Sequence, residues 1–420
     1  MSIPFKKADI LLPEEADMKK WAVVACDQYT SEPKYWEEVE NIVGDSPSTL
    51  KITLPEIYLE QDNVPERIQN INEEMDSLLN SNFFKVLPDS LIYLERTCAD
   101  GKVRKGIIGK VDLEDYSYEK GSQTLIRATE GTVLERIPPR VKVRENAALE
   151  LPHVMLLIDD EKKDIIESLE NKVTKEDLVY DFDLMQNGGH ARGYKIPDNL
   201  VENIFSKMEE LANKENFEKK YNVQNKGVLL FSVGDGNHSL ATAKACYENL
   251  KKRMTKEEYE NHPARYALVE IVNLHSDALE FEPIHRVVFG VNPEKMIEEF
   301  GKFYQLSKEK GTGQKITYMY KGTEETVYIQ NPSSNLAVGS LQKFIDEYIK
   351  ENGGKVDYIH GDDVTRNLGT EEGNIGFLLP KMEKTDLFKT VILDGALPRK
   401  TFSMGHSYDK RYYLEARKIK

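Results

Sequence analysis

Apolar residues follow two spacings along this chain, one typical of strands and one typical of helices. Short apolar runs predict buried strands at 21–26, 151–158, 228–233, 264–273, 281–288 and 411–417. Helical spacing predicts helices at 71–79, 162–171, 197–219, 292–304 and 341–351. Alternation around turn residues predicts hairpins at 90–111, 181–194 and 315–330. This mixture indicates an α+β fold in which mixed sheets carry flanking helices.

The length of the chain sets the number of folding units that we expect. At 420 residues it should form two or three units, each with its own core. We place an N-terminal α/β unit at 1–150, a central unit at 151–290 and a C-terminal α/β unit at 291–420. The C-terminal unit is expected to contribute residues to a cleft that the central unit carries.

The segment 228–246 combines a buried strand, a glycine turn and a helix start. Its turn reads Gly234-Asp-Gly-Asn-His-Ser239. Glycines let the backbone turn with its N–H groups outward, and the first turn of the helix adds unpaired donors and a positive dipole end. We therefore predict an anion site beside the carboxylate of Asp235 and the imidazole of His238. The alternative is that Asn237 or Ser239 only caps the helix.

Charge and composition limit the kind of partner. A net charge of −15 and a pI near 5.2 oppose a generic nucleic-acid binder or a membrane-surface protein. We expect a small, anionic ligand instead, and residues 399–420 hold a local cationic excess of seven Lys or Arg against two acids. Residues 1–7 lack a signal-peptide pattern, and no later segment has about eighteen uninterrupted apolar residues. Both observations favour a cytoplasmic protein.

Familiar catalytic fingerprints are missing from the sequence. It has no Gly-x-x-x-x-Gly-Lys-Ser/Thr, and Gly234-x-Gly236 lacks the third glycine of the dinucleotide pattern. A Walker ATPase and a dehydrogenase are therefore disfavoured. The histidines stand singly, without the spacing of a zinc site. What remains is a turn suited to phosphate, and Asp27, at the end of an early apolar run, is expected to face the same crevice.

Four motifs along the chain carry a family resemblance. The turn Asp235-Gly-Asn-His-Ser239 is similar to an Asp-Gly-His-His-Arg turn, and Arg127-Ala-Thr-Glu130-Gly-Thr132 to Arg-x-His-Glu-x-Thr. Pro283-Ile-His285-Arg286 is similar to Pro-Thr-His-Arg, and Leu397-Pro-Arg-Lys400-Thr-Phe-Ser403 to Met-Pro-x-Lys-Ser-Thr. On these motifs the sequence is identified as a member of the domain of unknown function 1015 family of bacterial and archaeal proteins.

The turn also resembles, more distantly, that of the ParB-like group. This group includes CTP-binding partition proteins, sulfiredoxin and a free-serine kinase, and its Gly-His-Arg-type turn holds nucleotide phosphates. The resemblance implies a ParB-like strand-turn-helix and a nucleotide ligand. Asn237 here replaces the first histidine of the family turn, and Ser239 replaces its arginine. The missing positive charge is then expected to come from Arg286 or Lys400.

Our leading hypothesis is an enzyme that binds a nucleotide or another phosphorylated small molecule and transfers a phosphoryl group to a small hydroxyl compound, such as an amino acid. Asp235 binds Mg²⁺ or acts as the base, His238 donates to a phosphoryl oxygen, and Glu130 is the alternative base. The phosphate and ligand contacts are assigned to Gly234, Gly236, Asn237, Ser239, Arg127, His285, Arg286 and Lys400. Two alternatives stay open: a nucleotide-sensing regulator without turnover, and a metal-dependent hydrolase that uses Asp235, His238 and His285.

Overall fold

A computed structural model describes residues 2–309, 311, 313–405 and 407–420. The helices are α1 Met18–Trp21, α2 Pro33–Val43, α3 Val64–Asn80, α4 Ile137–Arg144, α5 Asp198–Ala212, α6 Lys214–Tyr221, α7 Asn237–Lys251, α8 Lys256–Asn261, α9 Pro293–Phe303, α10 Ala337–Asn352, α11 Asp362–Gly369 and α12 Lys384–Asp394. The strands are β1 Phe5–Lys6, β2 Ala8–Pro13, β3 Phe84–Ser90, β4 Ile92–Thr97, β5 Val103–Asp112, β6 Tyr116–Ser117, β7 Ile126–Ala128, β8 Leu149–Glu150, β9 Val154–Ile158, β10 Leu178–Asp183, β11 His190–Lys195, β12 Phe231–Asp235, β13 Tyr266–Asn273, β14 Phe281–Phe289, β15 Leu306–Ser307, β16 Gln314–Tyr320, β17 Thr323–Ile329, β18 Lys355–His360, β19 Asn374–Leu378, β20 Phe402–Met404 and β21 Arg417–Lys418. The fold is α+β, as predicted.

The chain divides into two compact units. Unit 1 comprises Met1–Leu279 together with His406–Lys420, and unit 2 comprises Glu280–Gly405. The partition inferred from sequence, at 1–150, 151–290 and 291–420, follows the order of the motifs, whereas the units of the structure follow the sheets. As a statement about pieces that fold independently, that partition stays a prediction.

The main sheet of unit 1 has the strand order β10-β11-β4-β5-β13-β9-β12-β7-β6, with β1 paired to β5, among the described residues. Strand β12 lies between β9, to which it is antiparallel, and β7, to which it is parallel. Because β7 and β12 run in the same direction, their carboxyl ends emerge at one edge of the sheet. That edge is where the Arg127–Thr132 motif and the glycine turn both follow their strands.

The C-terminal tail, residues 407–420, belongs to unit 1. Its Tyr412, Tyr413, Leu414, Ala416 and Ile419 are all buried. The tail pairs with N-terminal segments through backbone hydrogen bonds: the amide of Leu11 donates to Ala416 at 2.8 Å, and the amide of Tyr413 donates to Val23 at 2.8 Å. Strand β21 then pairs with β8. The last residues of the sequence therefore contribute to the core of the first unit.

Unit 2 is built around a second sheet. Its strand order is β15-β17-β16-β19-β14-β18, with β20 paired to β14, in the part of the chain that the structure describes. All the β14 pairings are antiparallel. Helix α10 packs against α9 and β16, and its buried side chains include Leu341, Phe344 and Ile345.

Most of the predicted elements are present, and three are wrong. The strand predicted at 21–26 is absent. Residues 22–25 are buried, but they contact the C-terminal tail through only an isolated bridge between Val24 and Tyr412. Residues 162–171 contain only the short 3₁₀ turn Glu167–Leu169. Just before it, the Asp160 carboxylate accepts from the amide of Ile165 at 2.9 Å, a local bond that competes with helix formation.

The third wrong element is the strand predicted at 411–417. Only Arg417–Lys418 pairs as a strand there. The residues before it make only separate backbone hydrogen bonds and isolated bridges to N-terminal segments, and not a continuous ladder. Their charged members are buried in ion pairs, with Arg411 bonded to Glu270 and Glu415. No helix among the described residues is both long enough and apolar enough to cross a membrane.

Candidate functional site

The glycine turn links β12 to α7, and Gly236 is the residue that makes the link possible. Its φ is +80°, a left-handed conformation that favours glycine. A Cβ at this position would lie 3.0 Å from His153 Cδ2 and 3.1 Å from Val154 Cα, so the backbone of β9 and the turn are in close approach. Helix α7 begins immediately afterwards, at Asn237, and its first-turn amides have no carbonyl partner within the helix. The predicted strand-turn-helix is confirmed.

Gly234 is needed for packing rather than for the turn. A Cβ there would lie 2.8 Å from Leu157 Cγ, on the adjacent strand β9. Its role is therefore to let β12 and β9 pack closely just before the turn.

Asn237 fastens the turn to the segment that follows β7. Its side-chain oxygen accepts from the amide of Thr129 at 3.2 Å, and its side-chain nitrogen donates to Thr129 Oγ1 at 3.2 Å. Thr129 Oγ1 in turn donates to the carbonyl of Val233 at 2.6 Å. Glu130, half-buried, is the next residue after Thr129. The structure therefore brings the Glu130 motif and the glycine turn together at one edge of the sheet.

Arg127 lies in the same motif but contributes to folding rather than to that edge. Only 2% of it is exposed, and its guanidinium donates to the carbonyls of Thr124 at 2.9 Å and Gly227 at 2.6 Å. Burial lowers its pKa to about 10. Its hydrogen bonds fix the segments that lead into β7 and β12. Nothing in this geometry directs its charge toward the turn.

The Asp235 carboxylate is paired with a lysine from the C-terminal tail. Lys410 Nζ lies 3.0 Å from Asp235 Oδ2, and the amide of Gly236 donates to Asp235 Oδ1 at 2.9 Å. Side-chain exposure is 25% for Asp235 and 18% for Lys410, so both groups remain accessible. Sequence analysis found the cationic excess of the tail but did not assign this residue. The pairing places a positive charge next to the turn.

His238, on the first turn of α7, is held as a neutral imidazole. Burial lowers its pKa first of all, and the positive charges of Arg140 and Arg136 lower it further. The amide of Val133 donates to its Nε2 at 3.4 Å, which leaves the proton on Nδ1. A neutral histidine with Nδ1–H exposed to a ligand is a hydrogen-bond donor.

A chain of three side chains lies on the β9 side of the turn. The amide of Cys26 donates to Tyr413 Oη at 3.0 Å, and Tyr413 Oη is 2.7 Å from His153 Nδ1. His153 Nε2 is 3.3 Å from Asp27 Oδ2. Burial works against both charges. For His153 the neighbouring Tyr413 and Asp27 outweigh burial, and for Asp27 its pairing with His153 does. The pKa of His153 is therefore raised well above 6.5, and the pKa of Asp27 is lowered.

Sequence analysis placed Asp27 at a crevice but did not connect it to His153 or Tyr413. The three residues come from the N-terminal segment, from the start of β9 and from the C-terminal tail. The tail residue alone is separated from His153 by 260 positions. Local periodicity holds no signal for an association over such a distance.

A cavity of about 160 Å³ opens beside the start of α7. Ser239 and Thr242 of the helix line it, together with His153 and Tyr413. Two ion pairs form part of its wall, Arg140 with Glu56 and Arg144 with Glu150. The cavity therefore adjoins the predicted anion site through Ser239.

The remaining predicted residues lie in unit 2. His285 is buried, accepts from the amide of Leu379 at Nδ1, 3.1 Å away, and is 2.9 Å from Asp362 Oδ1 at Nε2. Both ring nitrogens are thereby engaged. Burial lowers its pKa, against the opposing effect of Asp362. This arrangement leaves no ring nitrogen for a metal ligand.

Arg286 links the two family motifs of unit 2, Pro283–Arg286 and Leu397–Ser403. It is fully buried and donates to the carbonyls of Lys400 at 2.9 Å and Arg399 at 2.8 Å. Lys400 itself is exposed, with a left-handed φ of +54°. Burial lowers the pKa of Arg286 to about 10. The four motifs thus associate as two pairs, one within each unit, and a single site built from all four stays a prediction.

A cluster of possible metal ligands lies elsewhere in unit 1. Within the described part of the chain, Asp159, Glu161 and His275 are three such groups near one another. Lys220 Nζ lies 3.1 Å from Asp159 and 3.5 Å from Glu161, so an ammonium group already occupies the position between the carboxylates. His275 Nε2 is 2.6 Å from Asp159 Oδ1. The cluster is best described as an ion-pair network.

A family model described as "Protein of unknown function (DUF1015)" matches residues 3–348. The chain belongs to this family. The resemblance found from the four motifs is thereby confirmed. No curated protein matches the sequence.

Several solved structures are similar to the chain. A mutant free serine kinase in complex with ADP has a TM-score of 0.38 and 10% identity, covering 76% of this chain and 93% of its own. The free serine kinase in complex with AMP gives 0.36 and 11%, with the same coverage. SbnI with a C-terminal truncation, from Staphylococcus aureus, gives 0.36 and 12%, covering 71% of this chain and 82% of its own. At such low scores and identities, none of these assigns a ligand to this chain.

Proposed function

We propose that the protein binds a nucleotide or another phosphorylated small molecule at the start of α7 and transfers a phosphoryl group to a small hydroxyl compound. The observation that carries the proposal is the convergence at one helix N-terminus of a left-handed glycine, the ion pair of Asp235 with Lys410, and His238 with its lowered pKa. The backbone amides after the glycine, the ammonium of Lys410 and the ring of His238 can each contact a phosphate oxygen. The side chains of Asp235 and Lys410 are partly exposed, so a ligand can reach them from solvent.

The anion-binding part of the site combines backbone and side-chain donors. The amides of the first turn of α7 point outward, and the helix dipole favours negative charge there. Lys410 Nζ is the cationic group beside the turn, and a bound phosphate would share it with the Asp235 carboxylate. This lysine takes the part that the family turn assigns to the arginine replaced here by Ser239. Asn237, in contrast, holds the turn in place through Thr129.

The transfer step uses the carboxylates at the same edge of the sheet. The acceptor oxygen forms a bond to phosphorus while the bond between phosphorus and the bridging oxygen of the donor breaks, and the donor leaves as the shortened nucleotide. The proton of the acceptor hydroxyl passes to Asp235 or to Glu130. His238 Nδ1–H donates to a phosphoryl oxygen as negative charge spreads over it.

Mg²⁺ fits this set of residues in one way. The ion is commonly bound by one or two carboxylates together with substrate phosphates, and Asp235 is the accessible carboxylate at the turn. Bound there with a nucleotide, it would supply further charge neutralisation, and Glu130 would then be the base.

The test is a thermal-shift panel with ATP, ADP and CTP, each with and without Mg²⁺. We expect at least one nucleotide to raise the melting temperature of the wild type. Lys410→Met should lower the affinity for that nucleotide about tenfold or more, because a charge-assisted hydrogen bond is lost. Lys418→Met, an exposed lysine on the same tail, is the matched control and should leave the shift unchanged.

The outcomes separate the hypotheses. No nucleotide-dependent shift in the wild type would overturn the proposal. A shift without consumption of the nucleotide in the presence of small hydroxyl compounds would favour the nucleotide-sensing regulator. Equal losses in the two lysine variants would show that Lys410 has no special place in the site.

A further inference from the structure

The cavity beside α7 has two chemically different parts. One end lies next to the glycine turn and is polar: Ser239 is the last residue of the turn, His153 closely approaches Gly236, and Tyr413 is bonded to His153. The rest of the wall is largely apolar, with Ile52, Leu54, Met75, Val143, Leu149 and Leu151. Ile52, Leu54, Met75 and Leu149 are each at most 5% exposed, so this wall belongs to the rigid core of unit 1. A ligand that fills the cavity must therefore be apolar over most of its surface.

The charged residues of the wall are already paired. Arg140 Nε donates to Glu56 at 2.9 Å, and Arg144 is bonded to Glu150. Glu150 also bonds Arg417 at 2.6 Å and accepts from the amide of Leu268 at 2.8 Å. Because each cation faces a carboxylate, the wall presents no net charge to a ligand. A charged group on the part of the ligand that fills the cavity would have to break one of these ion pairs.

The size of the cavity limits the ligand further. A cavity of ~150 Å³ holds a molecule the size of benzene, about six heavy atoms. The cavity here has about 160 Å³. Its occupant therefore has an apolar body of about six heavy atoms, with a polar group at the end that faces Ser239, His153 and Tyr413.

We infer that this cavity binds the acceptor of the reaction, an uncharged hydroxyl compound with an apolar body of about six heavy atoms, whose hydroxyl lies at the Ser239 end. Calling this molecule the acceptor rests on the proposed function; its binding in the cavity does not. The position of the hydroxyl follows from the adjoining turn, since Ser239 lies on the first turn of α7 and also lines the cavity. A strongly polar acceptor such as a free amino acid is disfavoured by the apolar wall.

The experiment measures the affinity of a homologous series by ligand-observed NMR titration. The probes run from propane-1,2-diol to 4-methylpentane-1,2-diol, which differ by three carbons. Burial of each methylene favours binding about fourfold, so affinity should rise about sixtyfold across the series. Ala147→Leu places three carbons inside the cavity and should abolish this gain, because Ala147 lines it.

Two controls keep the result interpretable. Ala148→Leu makes the same change at the next residue, which packs against the same hydrophobic cluster but is not part of the cavity lining, and it should preserve the gain. If Ala147→Leu does not fold, as judged by its melting temperature, Val143→Phe fills the same space from helix α4. The nucleotide thermal shift is measured on every variant.

The outcomes distinguish the two proposals. Length-dependent binding that Ala147→Leu removes, with the nucleotide shift retained, supports both. Length-dependent binding without any nucleotide shift supports the cavity and overturns the phosphoryl-transfer proposal. Affinity that is flat across the series, or a gain that survives both cavity-filling variants, overturns the inference about the cavity.

Discussion

Replacing Arg411 with methionine should strongly destabilise unit 1. Arg411 is 3% exposed and lies between two carboxylates that are fully buried: its Nη1 is 2.8 Å from Glu270 Oε2, and its Nη2 bonds Glu415. Its Nε also donates to the carbonyl of Pro152 at 3.2 Å. Burial works against its charge, but the two carboxylates outweigh burial and raise its pKa. The arginine therefore joins the C-terminal tail to β13 and to the loop before β9.

The expected loss is about 3–5 kcal/mol, because removing one partner leaves buried carboxylates without compensation. Methionine keeps the length of the side chain, so little of this loss comes from packing. Glu270 would retain Arg104, whose Nε is 3.5 Å away, and Glu415 would retain Tyr180 Oη at 2.5 Å. These weaker contacts place the loss within that range rather than above it.

Tryptophan fluorescence gives a readout that is specific to unit 1. The sequence has two tryptophans, Trp21 and Trp36, and both are buried in unit 1. A urea titration followed by their emission therefore reports unfolding of this unit. With a slope of roughly 3 kcal/mol per M, a loss of about 3–5 kcal/mol lowers the midpoint by roughly 1–1.7 M.

The control is an exposed arginine of the same unit. Arg192 is 42% exposed and pairs with Asp181 at 2.9 Å, so Arg192→Met should cost at most about 1 kcal/mol. Adding Glu415→Gln to Arg411→Met should recover part of the loss, because it removes one of the two unpaired carboxylates. If Arg411→Met shifts the midpoint no more than Arg192→Met does, the network does not hold the tail in the way described.

Two further predictions concern the site itself. Gly236→Ala should destabilise unit 1 by about 1–2 kcal/mol or more, because the left-handed φ of +80° is costly for alanine and the new Cβ would lie 3.1 Å from Val154 Cα. The control is Gly131→Ala, at an open position, which should be nearly neutral in the same urea titration. Asp27→Asn should lower the raised pKa of His153, measured by NMR titration of the imidazole. A raised histidine pKa stabilises the fold fully below 6.5 and loses this effect as pH rises through the folded value, and the lowered pKa of Asp27 stabilises it above 3.8. The stability advantage of the wild type over Asp27→Asn should therefore be largest between about pH 4 and 6.5 and should shrink toward alkaline pH; a constant difference would contradict the pairing.

Local patterns in the sequence predicted what depends on local structure. The hairpin of β4 with β5 and the glycine turn before α7 are both set by neighbours in the chain, and both are present. The strand predicted at 411–417 is wrong for the opposite reason. Arg411 and Glu415 are charged, yet both are buried, and a partner of Arg411, Glu270, is 141 residues away. No local pattern of polarity reveals a buried charge whose partner is so distant.

The same limit applies to the candidate site. The residues of the turn were predicted as a group, because a strand, two glycines and a helix start lie next to one another. The residues that complete it, Lys410, His153 and Tyr413, come from other segments and meet the turn only in the folded unit. Arg127 was predicted as a phosphate or ligand contact, whereas its guanidinium is bonded to backbone carbonyls. A charged residue in a motif is therefore not evidence of a charge in the site.

The C-terminal tail links the stability of unit 1 to the chemistry of the site. Arg411 anchors the tail through buried ion pairs. Lys410, just before it, bonds Asp235, and Tyr413, two residues after it, bonds His153. A helix N-terminus alone binds anions weakly and without selectivity, so the added charge of Lys410 is what would make the turn a phosphate site. Ser239, at the position that carries arginine in the family turn, lines the cavity beside α7. If the turn binds phosphate, as we propose, its cationic side chain is Lys410 of the tail rather than a residue of α7.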